Sequence, residues 1–99
     1  MRQVPVFLKA LGEKDPQFAE RVMEVMGMAF GGGALDAKTK TLMSLLGDAV
    51  LGHFEGVAAL AARARQEGAS EGEIAETVRM AFMVGGLPGL VTGLRAFGG

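Results

Sequence analysis

Cysteine is missing from all 99 residues, and so are tryptophan and tyrosine; histidine occurs once, at position 53. Without a thiol, these residues can form no disulfide, thiolate nucleophile, zinc–thiolate centre or redox dithiol. One imidazole supplies at most one ligand per chain, so a metal would need carboxylates as well, or several copies of His53 around a symmetry axis. No metal or cofactor is expected. An excess of one charge is lacking too, with ten basic and eleven acidic residues for a net charge of −1. Nucleic-acid binding needs a basic stripe to neutralise phosphates, and none is visible. Arg63 and Arg65, two positions apart, point to different faces of a helix.

What the chain has in quantity is apolar side chain. Hydrophobic residues make up 49% and charged residues 21%. The length suits one domain over 1–99, and a domain this small hides only a modest share of its surface. The surplus is expected to go into contacts between copies of the chain, so the partner is the protein itself. Met80 to Leu94 carries no charged side chain. It falls short of the roughly 20 residues that span a bilayer and is interrupted by Gly85-Gly86 and Pro88, so no membrane insertion is expected. The N-terminal MRQVPVFLKALGEKD has too short an apolar run and the wrong charge order for a signal peptide, which leaves the cytoplasm as the expected location.

Every segment reads as helix. Val4 to Leu11 predicts a short apolar helix or docking arm closed by Gly12. Asp15-Pro16 is a helix start, because the carboxylate accepts from free N–H groups and proline suits the first position. The helix that follows puts Phe18, Val22, Val25/Met26 and Ala29 on one stripe and ends at Gly31-Gly32-Gly33. That run lacks a preceding strand and a following Lys-Ser/Thr, and Asp36 would repel an anion, so it reads as a linker rather than a phosphate cradle. Asp36 caps a helix over Ala37 to about Val50. One of its stripes is Leu42, Leu45/Leu46 and Ala49, and another is Thr41, Ser44 and Asp48. Leu51-Gly52 is a break. A helix then starts near His53 and runs through Val57, Leu60, Ala61 and Ala64 to Glu67, stopped by Gly68. Ser70 and Glu73 form a capping box. The helix they open carries Ile74, Val78, Ala81 and Phe82 on one side and ends near Gly85-Gly86. A last helix from Leu87 to about Phe97 tolerates Pro88 in its first turn.

Two patterns stand out from this frame. Gly85, Gly89 and Gly93 recur every four residues, so they line a groove without side chains that another backbone can approach closely; Gly85 also reads simply as a helix end. His53 is the residue best suited to chemistry. At a helix N-terminus the dipole disfavours the imidazolium, so a neutral ring able to accept a proton or bind a metal is expected. Its candidate partners are Asp48, Glu55 and Thr41. Spacing alone does not put these on one helical face, and only the break at Gly52 could bring them together. The plainer reading is a structural histidine at a helix end.

From Phe18 to about Phe97 the chain resembles the carboxymuconolactone decarboxylase family, which includes the alkylhydroperoxidase D proteins. The resemblance rests on LDAKTK at Leu35 to Lys40, LG at Leu51-Gly52, EGAS at Glu67 to Ser70, EIAE at Glu73 to Glu76 and GGLPGLV at Gly85 to Val91, in that order and spacing. It implies an all-α, alkylhydroperoxidase D-like helical bundle that assembles as trimers or hexamers. The peroxidase branch carries C-x-x-C, a His four residues later, and a Glu one helix earlier. Counted back from Gly68, these positions fall on His53, Gly56, Leu60 and Thr41, and all four are replaced. With no thiolate to attack a peroxide and no imidazole at position 60, the family's thiol chemistry is not expected. Two functions follow as expectations. One is a homo-oligomer with a degenerate site that binds a small apolar molecule or acts structurally. The other is a lyase- or isomerase-type enzyme that uses His53 as base.

Overall fold

Local capping chemistry sets most of the helix ends. In the computed structural model, which describes residues 6–98, the Asp15 carboxylate accepts the Phe18 N–H at 3.2 Å, and Pro16 opens helix α2 (Pro16–Phe30). Asp36 accepts the Thr39 N–H at 2.8 Å and opens α3 (Ala37–Leu51). Ser70 and Glu73 exchange both bonds of a capping box at the start of α5 (Glu71–Gly93). Such caps satisfy N–H groups that have no partner inside the helix, each typically worth about 1 kcal/mol. Helix α1 (Val6–Lys14) precedes these helices, α4 (Phe54–Gln66) lies between α3 and α5, and a 3-10 turn (Leu94–Phe97) follows α5. The described residues contain no strand.

The chain forms two compact units, Met1–Gly31 and Gly32–Gly99. In the first, α1 packs on α2, burying Leu8 and Ala19. Helix α1 runs straight through Gly12 to Lys14 instead of stopping there. A single glycine costs a helix only about 1 kcal/mol, and Asp15 supplies the real boundary. The part of the expected N-terminal element before Val6 lies outside the described residues. The stripe read for α2 is rotated. Val22 and Met26 are half-buried, whereas Phe18, Val25 and Ala29 are exposed and Ala19 is the buried residue.

The second unit packs α3 against α4 and α5, with the 3-10 turn closing on α4. Its core contains Leu45, Ala49, Val57, Ala61, Ala64, Ile74, Val78 and Ala81. These recur at helical spacing on all three helices, so each contributes one apolar face. Leu45, Val57 and Ile74 are fully buried, and each such side chain is worth roughly 1.5–3 kcal/mol of transfer free energy. Phe82 does not join that face. It is 45% exposed, because the inward positions at this level are taken by Val78 and Ala81.

Helix α5 is not a straight rod. Gly86 has φ 67° and ψ −158°, a conformation open to glycine and not to residues with a Cβ. The chain turns back on itself there. A Cβ at Gly93 would lie 3.2 Å from Val78 Cγ1, although fifteen residues of straight helix would separate them by about 22 Å. A Cβ at Gly89 would lie 2.5 Å from the Ala81 carbonyl oxygen, and one at Gly85 would lie 3.1 Å from Val50 Cγ2. The glycine groove is therefore filled from within the chain, by Val50 of α3 and the first half of α5. All three glycines pack closely, Gly85 included. By length and composition alone, Glu71–Phe97 would suffice to cross a membrane; in the structure this stretch folds back at Gly86.

Candidate functional site

Helix α3 ends in a tight reversal. Gly52 adopts φ 82°, its N–H reaches the Ala49 carbonyl at 3.3 Å, and the His53 N–H reaches the Asp48 carbonyl at 2.8 Å. These bonds satisfy carbonyls that the helix leaves open, and the left-handed Gly52 makes the turn without strain. The turn delivers His53 to the N-cap of α4, where its side chain makes no capping bond. The ring swings back instead. His53 Nδ1 lies 3.1 Å from Asp48 Oδ1. An ionised carboxylate only accepts, so Nδ1 is the donor in this contact, and in the neutral ring Nε2 then carries the lone pair.

The sequence-derived candidates thus separate in space. Asp48 and His53 are brought together, with side chains 27% and 59% exposed. Glu55 is exposed in the first turn of α4, where its charge favours the positive end of the helix. Thr41 lies two turns before Asp48 on α3, about 10 Å along the axis, and is wholly buried. Among the described residues its hydroxyl has no hydrogen-bond partner. Leu60 is half-buried against the core. Among the described residues, no group of three or more His, Asp or Glu side chains is placed to hold a metal ion.

Spacing did not reveal two further contributors. Gly56 lies directly beneath the Asp48 carboxylate. A Cβ at position 56 would overlap Asp48 Oδ2 and come within 2.9 Å of its Cγ. A glycine in the first turn of a helix, three residues after the histidine, was the available signal. The other is the 3-10 turn, whose Arg95 guanidinium stands 5.8 Å from the centre of the Phe54 ring. This cation–π contact ties the 3-10 turn to the residue that follows His53. Arg65 holds the same turn, donating to the Ala96 carbonyl at 2.8 Å while its Nε donates to Glu71 at 2.7 Å. Within the first unit, Phe18, Arg21, Val22, Val25 and Met26 line an open apolar depression along α2.

Comparison with known proteins agrees with this architecture. A carboxymuconolactone decarboxylase family protein from Legionella pneumophila superposes with a TM-score of 0.85 at 24% identity, covering 92% of this chain and 81% of its own. A candidate carboxymuconolactone decarboxylase from Burkholderia xenovorans superposes with a TM-score of 0.87 at 23% identity, covering 94% of this chain and 74% of its own. At these identities the likeness shows the fold. No curated protein matches the chain significantly. The family profile itself, however, matches residues 16–98. By that match over most of its length, this cysteine-free chain belongs to the carboxymuconolactone decarboxylase family.

Proposed function

We propose that this protein is a homo-oligomeric binding or structural member of its family, assembled as a trimer or hexamer and without thiol peroxidase or disulfide reductase activity. The observation that carries the reading is the outer side of α5. Met80, Met83, Val84, Leu87 and Val91, with Leu94 beyond them, are each half or more exposed on the single chain. On each arm of the bend at Gly86 they recur at three- and four-residue spacing, and together they expose more apolar side chain than a small single chain keeps in water. Within an assembly, a small apolar molecule is the ligand class such surfaces would take. Light scattering at micromolar concentration should give a multiple of the 10.3 kDa subunit mass, and Leu87→Glu should lower it. A stable wild-type monomer would sink the reading. Peroxide consumption with a thiol reductant should not exceed the protein-free rate.

The Asp48–His53 contact supports a second reading, in which His53 is the general base of a lyase or isomerase. A base oriented through Nδ1 by a carboxylate presents Nε2 to a substrate proton. Deuterium incorporation from heavy water into small lactones and unsaturated acids tests it, with His53→Gln as control. Equal incorporation by both proteins would refute it.

A further inference from the structure

We infer that Gly56 is a positioning residue whose missing side chain lets the Asp48 carboxylate lie over the first turn of α4 and thereby selects the Nδ1–H tautomer of His53. Three observations converge on it. The Asp48 carboxylate occupies the volume that a Cβ at 56 would need. The same carboxylate, through its other oxygen, meets His53 Nδ1. The N-cap of α4 has no side-chain bond of its own, so an anion seated there complements the positive end of the helix. Asp48 thus lies against the histidine and over the start of α4, a position that a Cβ at 56 would deny it. The obstructing atoms are the far end of a flexible side chain rather than backbone. Any larger residue at 56 is therefore accommodated by rotating the carboxylate away. The fold survives, and the His53 contact does not.

The inference depends on the second functional reading only in needing the Asp48–His53 pair, and one experiment separates the two. Because His53 is the only histidine, protein labelled with 15N-histidine gives a single imidazole pattern in long-range proton–nitrogen correlation spectra. At alkaline pH, where imidazole is neutral, the wild type should show Nδ1–H. Gly56→Ala, folded by circular dichroism, should invert the ratio toward Nε2–H, the form free histidine favours, and Asp48→Ala should do the same. If Gly56→Ala keeps Nδ1–H while Asp48→Ala loses it, the role of Gly56 is overturned and the pair stands. Nε2–H already in the wild type, or Nδ1–H kept in Asp48→Ala, overturns the pair and the inference with it.

Discussion

Asp48 holds His53 twice: its carbonyl accepts the His53 N–H at 2.8 Å, and its carboxylate meets His53 Nδ1 at 3.1 Å. The backbone bond closes the end of α3, while the side-chain contact orients the ring and sets a negative charge over the start of α4. Asp48→Ala keeps the first and removes the second. The expected loss is about 1 kcal/mol at most, a drop in melting temperature of a few degrees. Thermal melts followed by circular dichroism check this, and an unchanged melt would mean that the carboxylate does not stabilise α4.

Thr41 offers the opposite case. Ser44 and Thr77 each donate their hydroxyl to the carbonyl four residues back, at 3.0 and 2.9 Å. The Thr41 hydroxyl is fully buried and makes no such bond. An unpaired buried hydroxyl costs roughly 1–3 kcal/mol, and valine has almost the same shape. Thr41→Val should therefore stabilise the protein by about 1 kcal/mol, read as a higher urea midpoint at constant slope. Destabilisation would show that the hydroxyl has a partner in solution.

Glycines 56 and 89 should respond differently to the same change. At Gly89 the added methyl would meet the Ala81 carbonyl oxygen at 2.5 Å, and backbone cannot step aside as a side chain can. Gly89→Ala is expected to cost about 1–3 kcal/mol, the usual range for overpacking. Gly56→Ala should stay within about 1 kcal/mol of wild type, because alanine gains helix propensity as the carboxylate contact is lost. Equal melting temperatures for the two variants would contradict the close packing inside α5.

Glu73 makes stability depend on pH. Its carboxylate accepts the Ser70 N–H at 2.8 Å and the Lys38 ammonium at 2.9 Å. The backbone bond first, and then the lysine, holds its pKa below the ordinary 4.5. A lowered carboxylate pKa contributes stability that is present above the ordinary value and lost as the pH falls through the lowered one. Melting temperature should thus drop from about pH 5 to about pH 3, and Glu73→Gln should drop less over that window. Glu71, held low chiefly by its hydrogen bond to Arg65, adds in the same direction. The pKa of Lys38 is raised, chiefly by its hydrogen bond to Glu73. Its share is present below about 10.5 and lost only as the pH climbs through the raised value, outside this window.

By itself, the sequence determined the helical class, the family, the lack of any thiol and most helix ends. The starts at Asp15, Asp36 and Ser70, the break at Gly52 and the stop before Gly68 are all legible. Each is decided by hydrogen bonds among residues fewer than six apart, so local residue identity suffices. Only the tertiary structure decided which of the candidates meet. It joined Asp48 to His53 over Gly56, buried Thr41, turned Phe82 outward and filled the glycine groove with Val50 and Val78. The first of these follows from the reversal at Gly52, and the others from how far α5 bends back at Gly86 and which face of α3 it then covers. A periodic pattern shows that a helix has an apolar face; it does not show what that face will touch.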